Sequence, residues 1–451
     1  MKIEFLGAGS TVTGSKYLVT SQHSRVLVDC GLFQGFKPLR LKNWEPFPFL
    51  PQEINAVVLT HAHLDHSGAI PLLVKKGFKG PIYATPATME LAKILLLDSG
   101  YLQEEEARFA NRKGYSKHHP ALPLYTRDDV EKSLSHFVPV EGHQHVKIDG
   151  DLDFEFISSG HLLGASSVRI RMNGKSVLFS GDIGRSNDAV MRPPIQPQGA
   201  DYVVVESTYG NRVHPKDHPI ETLKEIIERT LSRGGSVLIP SFAVGRAQLI
   251  LYFLKKLKDR GDLRGVSIYL NSPMAASVNQ IFCKYAELTR LSTNEAREVC
   301  DVAQVVSTVD ESKALNAQKG SRIIIAASGM ATGGRVLHHL KTMLPDSRNT
   351  ILFVGFQAGG TRGEAMLKGA QEVKIHGEMW PIHAEIINLE SLSAHADSEE
   401  LLNWVAKLKI KPARVFITHG ERDSAEALAA KISNELRYQC EVPSLGDVCE
   451  I

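Results

Sequence analysis

The stretch His61-Ala62-His63-Leu64-Asp65-His66 constrains this chain more than any other part of it, because three imidazoles and a carboxylate stand within six residues. It follows Ala56 to Thr60, a continuous apolar run typical of a buried strand, and it precedes the helix-like stretch Ala69 to Lys76. A tight turn in that position can aim alternate side chains at two neighbouring points. Neutral imidazole nitrogens and carboxylate oxygens suit zinc, and a catalytic site keeps one coordination position open for water. The spacing suits two metals better than one. A histidine run can also be a fortuitous surface tract. His118-His119 and His338-His339 read that way, as ordinary surface histidines in charged or helical surroundings without an acidic partner.

Composition bounds what such a centre can serve. The 451 residues suffice for two to three domains, and 43% apolar residues can fill a large core. Charged residues nearly cancel at a formal +2, so no global basic field advertises a polyanion partner and any such site must be local. The five cysteines are odd in number, scattered and without a CxxC pair, which points to a reducing compartment and away from structural thiolate zinc. The start of the chain lacks the pattern of a secretory leader, and no apolar stretch is long enough to span a membrane. These features predict a cytoplasmic protein with no membrane partner.

Short apolar strands punctuated by Gly and Asp open the chain: Lys2 to Leu6, Tyr17 to Thr20 and Val26 to Asp29. Thr85-Pro86 before Met89 to Leu97 is a helix start, and Tyr101 to Asp129 reads as a partly helical surface excursion. Asn173-Gly174 between two apolar runs is a hairpin signal. After Tyr209 the texture becomes strand-helix alternation of the parallel-sheet type: Ser236 to Pro240 leads to Ala247 to Lys258, and Arg322 to Ala327 leads to Arg335 to Leu344. The last residues return to the first pattern, with the strand Val415 to Thr418 ending in His419 and a helix over Ser424 to Leu436. No internal repeat or low-complexity tract interrupts this order.

HxHxDH after a strand resembles the metallo-β-lactamase superfamily, and the rest of that pattern has counterparts here. A later lone His is matched by His161 in Ser159-Gly160-His161, an Asp ending a strand by Asp182 in Ser180-Gly181-Asp182, and a last His by His419 in Thr418-His419-Gly420. The resemblance implies an α/β fold, the αββα sandwich, with His61, His63 and His161 on one zinc, Asp65, His66 and His419 on the other, and Asp182 bridging the two Zn2+. Glu206 in Glu206-Ser207-Thr208-Tyr209-Gly210 and His395 in Ser393-Ala394-His395-Ala396-Asp397, together with His419, are similar to the three added motifs of the β-CASP nucleases. That family inserts an α/β domain into the sandwich. The expected organisation is 1–209 for the first part of the sandwich, 210–389 for the insertion and 390–451 for the return.

Gly-rich turns after strands offer backbone N–H groups to phosphate. A lone turn of this kind is more often only a helix start. Several occur together, in Ala327-Ser328-Gly329-Met330, Gly333-Gly334-Arg335 and Gly355-Phe356-Gln357-Ala358-Gly359-Gly360-Thr361-Arg362, and they mark Ser328, Gly329, Met330, Arg335 and Arg362 as candidate substrate contacts.

Within the family, a His at the last motif resembles the RNA-cleaving branch. The resemblance therefore implies a zinc-dependent ribonuclease acting on single-stranded RNA, an endonuclease for which 5′-exonuclease activity is left open, similar to compact bacterial and archaeal relatives of the pre-mRNA 3′-end cleavage subunit. A metal-bridging hydroxide would attack phosphorus while His395, oriented by Glu206, gives a proton to the departing 3′ oxygen. Asp65 is counted with these two among the catalytic residues. Two rivals stand beside this reading: a hydrolase of the same fold acting on a small ester or thioester, and a non-catalytic scaffold subunit of an RNA-processing complex. A homodimer is left open. His383, in a Pro-flanked connector, is set aside as a solvated histidine.

Overall fold

The computed structural model describes residues 2–114, 116–150, 152–215, 218–355 and 357–451. Met1, Tyr115 and Phe356, which fall in segments read above, lie outside the described residues. By internal contacts the chain divides into two compact units, one comprising Met1–Asp188, Arg192–Val213 and His395–Ile451 and the other Ala189–Met191 with His214–Ala394.

The first unit is built on two sheets. One runs in the order Val448–Glu450, Lys2–Phe5, Tyr17–Thr20, Arg25–Val28, Ala56–Val58, Ile82–Ala84, Phe137–Pro139. The other runs Cys440–Glu441, Arg414–Thr418, Tyr202–Glu206, Lys175–Phe179, Ser166–Met172, Leu152–Ser158, Val146–Asp149. Aromatic side chains from both sheets share one core cluster: Phe5, Tyr17, Phe154, Phe156, Phe179 and Phe416 are all buried in it, and Phe5 meets Phe416 at 5.2 Å between ring centroids. Truncating a buried Phe of this kind costs ~3–5 kcal/mol. The opposite face of the second sheet is covered by the helices Ser398–Ala406 and Arg422–Leu436 through Trp404, Val405, Leu428 and Ile432. Coverage on both faces is why Tyr202–Glu206 and Arg414–Thr418 are continuous apolar runs rather than alternating ones.

Register in this sheet decides where chemistry collects. Leu152–Ser158 and Lys175–Phe179 each pair antiparallel with Ser166–Met172, so they run in the same direction. Tyr202–Glu206 is parallel to Lys175–Phe179, and Arg414–Thr418 is parallel to Tyr202–Glu206. Four strands therefore end at one edge of the sheet. The hairpin joining Ser166–Met172 to Lys175–Phe179 turns on Asn173 (φ 50°) and Gly174 (φ 76°), the left-handed pair that a two-residue turn demands.

In the second unit a parallel sheet runs Gln304–Val305, Ser267–Asn271, Arg322–Ala326, Val237–Pro240, Thr350–Val354, Glu385–Leu389, with helices such as Arg246–Asp259 and Val336–Met343 as connections. Two local expectations change. Helix Pro86–Lys113, capped by Thr85, continues far past Leu97, because Gln103 to Arg108 are strong helix formers and Ala107 and Ala110 keep one face buried. His339 is not a surface residue: it is fully buried, accepts from Asn271 Nδ2 at 2.6 Å and donates to Asn316 Oδ1 at 2.5 Å. Burial lowers its pKa to about 4, so the ring is neutral and can fill both roles. His338, its neighbour, is exposed, as are His118, His119 and His383.

Candidate metal centre and its histidine–glutamate pair

His161 follows the strand Leu152–Ser158, Asp182 follows Lys175–Phe179, Glu206 ends Tyr202–Glu206 and His419 follows Arg414–Thr418. The common direction of these strands brings all four residues to the same sheet edge. His61 to His63 lie between the strand Ala56–Val58 of the facing sheet and the short helix Leu64–Ser67, which carries Asp65 and His66, and the turn is held by His66 N–H donating to His63 O at 2.9 Å and by Ser67 Oγ donating to Ala62 O at 2.8 Å. Gly31 packs so closely against this turn that a Cβ there would lie 1.6 Å from Asp65 O.

The donors converge. One ligand atom each from His61, His63, His161 and Asp182 lie within 4.8 Å of one another, and so do those of Asp65, His66 and His419. Asp182 faces both groups: Oδ2 is 3.4 Å from His61 Nε2 and 3.5 Å from His161 Nε2, while Oδ1 is 3.3 Å from His66 Nε2 and 3.6 Å from His419 Nδ1. Burial holds His61 well below the usual imidazole range and pushes His63 down to about 4, so both offer unprotonated nitrogens. At His66 burial works in the same direction, but Asp182 and Asp29 override it and raise the group well above its usual value. Burial would raise Asp182, and the imidazoles of His419, His66 and His61 override that in turn, leaving it well below the ordinary carboxylate range.

These residues fit a metal ion. His66 Nε2 and His419 Nε2 face each other at 3.0 Å, and with Asp65 they offer an imidazole and carboxylate donor set of the kind that suits zinc. Asp182 Oδ1 is buried without a hydrogen bond, a cost of about 1–3 kcal/mol that a coordinated ion removes.

Beside the cluster, His395 Nδ1 donates to Glu206 Oε2 at 3.1 Å. Glu206 is almost fully buried and is fixed from two further sides, by Ile183 N–H at 2.5 Å and by the Thr208 hydroxyl at 2.7 Å. His395 keeps part of its ring accessible, with the side chain 18% exposed. Its backbone is anchored by a bridge to Gly184 and by Ala396 N–H donating to Ile183 O.

Sequence reasoning missed Asp29. This residue follows the strand Arg25–Val28 and accepts from His66 Nδ1 at 2.7 Å, Thr60 N–H at 2.8 Å, Thr60 Oγ1 at 3.0 Å and Ser15 Oγ at 3.0 Å. A carboxylate behind a ligating imidazole fixes which nitrogen faces the metal. The available signal was an Asp just past the end of an apolar strand, as Asp182 is.

The candidate substrate residues belong to the second unit. Ser328 Oγ accepts from Thr332 N–H and Gly333 N–H and so shapes its own loop. Arg335 donates to Asn271 Oδ1 at 2.7 Å, to Val306 O at 2.8 Å and to Ser307 O, while Arg362 donates to Lys374 O at 2.6 Å and to Ala331 O and Thr332 O. Both guanidinium groups thus tie loops together through carbonyl oxygens.

Metal-binding donors gathered at a strand edge of a two-sheet α/β sandwich define the scaffold of a metallo-hydrolase, and comparison with known proteins narrows it. Residues 11–223 match the metallo-β-lactamase superfamily, 247–366 the β-CASP domain and 379–443 the Zn-dependent metallo-hydrolase RNA specificity domain. The chain is 40% identical over 435 residues to Ribonuclease TTHA0252 of Thermus thermophilus, with 95% of each chain covered. It is 29% identical over 461 residues to the Transcription termination factor FttA of Methanosarcina mazei, covering 97% of this chain and 70% of that one. With the RNase J-like protein of Methanocaldococcus jannaschii it shares 29% over 454 residues, covering 100% of this chain and 99% of that one. A crystal structure of a protein of unknown function from Enterococcus faecalis aligns over 99% of both chains with a TM-score of 0.55 at 14% identity, a likeness of fold alone. The chain belongs to the β-CASP family of the metallo-β-lactamase superfamily.

Proposed function

We propose that this protein is a zinc-dependent ribonuclease that hydrolyses phosphodiester bonds of single-stranded RNA. The observation that carries the reading is the His395–Glu206 pair set beside a buried imidazole–carboxylate cluster. His61, His63 and His161 with Asp182 would hold one zinc ion, and Asp65, His66 and His419 with the same Asp182 the other. Bound there, the two ions would supply Lewis acidity, lowering the pKa of water and offsetting charge on a phosphoryl group.

The chain's own residues do the rest. Glu206, immobilised by Ile183 and Thr208, takes the Nδ1 proton of His395 as a hydrogen bond, which stabilises the imidazolium and leaves Nε2–H to protonate a departing 3′ oxygen. The products would be a 5′ phosphate and a 3′ hydroxyl. Asp65 orients His419 through a contact of 3.7 Å in addition to serving as a donor. We assign phosphate contact to the backbone of Ser328, Gly329 and Met330, and to Arg335 and Arg362 the task of holding that loop in shape. The RNA preference is supported by His419, by the match to an RNA specificity domain and by the ribonuclease name of the Thermus thermophilus relative.

The test is a time course of the zinc-loaded protein on 5′-labelled single-stranded RNA and its DNA counterpart, beside Asp182→Ala and His395→Ala. We expect RNA alone to be cut, Asp182→Ala to lose metal and activity together, and His395→Ala to keep its metal while turnover falls roughly 10²- to 10⁴-fold. Product lengths separate internal cleavage from 5′ trimming. Loss of zinc from His395→Ala in proportion to lost activity would make that histidine structural, and no cleavage of either polymer would overturn the ribonuclease reading.

A further inference from the structure

The six-residue helix Lys37–Lys42 buries none of its residues, yet three large apolar side chains around it stand in solvent: Phe36 is 54% exposed, Leu41 54% and Trp44 57%. Apolar groups of this size gathered on one short segment mark a surface that a partner covers. Their spacing makes a single face. Arg40 N–H donates to Phe36 O and Trp44 N–H to Leu41 O, so the helical path runs from the cap past the last turn. Phe36, Arg40 and Trp44 then follow one another at four-residue steps, with Lys37 and Leu41 alongside. Between the two aromatic residues the chain carries Lys37, Arg40 and Lys42. Glu45, and Glu106 within reach of Arg40's charge, stand against these cations.

The same segment closes one side of a cavity of about 230 Å³, whose walls include Lys16, Phe33, Lys42, Phe47, Leu72 and Leu445. That is below the ~300–1,000 Å³ of sites for whole small molecules and suits a single flat ring system. Lys16 is 6% exposed, donates from Nζ to Gly31 O at 3.2 Å and lies 5.3 Å from the centre of the Phe33 ring. An ammonium carries three donors, and Gly31 takes one. The segment is also clamped to the metal turn. Cys30 N–H donates to His66 O at 2.7 Å, Leu32 N–H donates to Leu64 O at 2.9 Å, and the Asn43 side chain binds both the N–H and the carbonyl of Phe33.

We propose that residues 33–50 form a subsite for single-stranded RNA, with bases stacked on Phe36 and Trp44, phosphates against Lys37 and Arg40, and one base entering the cavity toward Lys16. The proposal rests on the ribonuclease reading and extends it to where RNA beyond the scissile bond is held. Flat bases on a charged strand match aromatic planes interleaved with cations, whereas a protein partner would favour a patch depleted of Lys.

The experiment compares initial rates of the zinc-loaded protein on a single-stranded oligoribonucleotide and on a small synthetic phosphodiester, for wild type, Trp44→Ala, Phe36→Ala, Trp44→Phe and Lys37→Ala/Arg40→Ala. The ratio of kcat/KM on RNA to kcat/KM on the small ester should fall at least about five-fold in each alanine variant, the loss of one base stack, and recover in Trp44→Phe. The double variant should flatten the dependence of log KM on log salt by about one to one and a half. Wild type cleaving RNA with ratios unchanged in both alanine variants overturns the subsite and leaves the nuclease standing. A wild-type dimer that Trp44→Ala makes monomeric, with the RNA ratio unchanged, also overturns it and gives the face to a second copy of the chain. Should wild type cleave neither substrate, equilibrium binding of the same oligoribonucleotide decides, and equal affinity for wild type and Trp44→Ala overturns the subsite.

Discussion

Asp29 sits in the left-handed region at φ 60° with its carboxylate turned onto His66, thirty-seven residues further along the chain. Four donors converge on this one side chain, so Asp29→Asn would place an amide where an imidazole N–H needs an acceptor. We expect the affinity for metal at Asp65, His66 and His419 to fall roughly 10- to 100-fold while the fold persists. A chelator-competition titration measures it, and an unchanged affinity would mean that His66 is oriented without Asp29. Of the residues gathered at this edge, those with imidazole or carboxylate donors in the strand-end motifs were legible in the sequence. Asp29 was not, because its own segment carries no second donor to draw attention to it.

At the scale of elements, the parallel sheet of the second unit is laced at its strand ends by side chains. Arg335 bonds Asn271 Oδ1, Asn271 Nδ2 bonds both His339 and Ser312, and His339 bonds Asn316. Asn271 is fully buried, so Arg335→Ala strands an acceptor at a cost of about 1–3 kcal/mol. For a unit of this size that lowers its thermal midpoint by about 2–4 °C per kcal/mol. Calorimetry and RNA kinetics on the same variant separate the two roles: a raised KM with an unchanged midpoint would restore Arg335 to the phosphate. The sequence marked this arginine through its glycine-rich surroundings. It could not show that Val306 and Ser307 take its donors, since those contacts depend on how the strands are ordered.

For the molecule as a whole, the two compact units differ in what ligation can do to them. Every donor of the candidate metal centre belongs to the first unit, and so does the neighbouring His395, which lies at the point where the chain re-enters it. Binding to the native state alone adds RT ln(1 + [L]/Kd) of stability. We therefore expect zinc to slow amide exchange around 61–66 and 415–419 and to leave 322–326 and 350–354 unchanged. Equal protection of both sets, read by hydrogen-exchange mass spectrometry, would show that the chain opens as one cooperative body.

The sequence by itself determined which side chains can bind metal and that they stand at strand ends, because apolar runs, turns and a compact donor motif are short-range signals. It also marked the change to strand-helix alternation after Tyr209, a matter of period alone. Tertiary structure decided what depends on partners distant in sequence. The shared direction of four strands brings His161, Asp182, Glu206 and His419 to one edge. Packing buries His339 next to an exposed His338. Carbonyl oxygens claim the guanidinium groups of Arg335 and Arg362, because a buried acceptor must be satisfied by whichever donor the fold delivers to it.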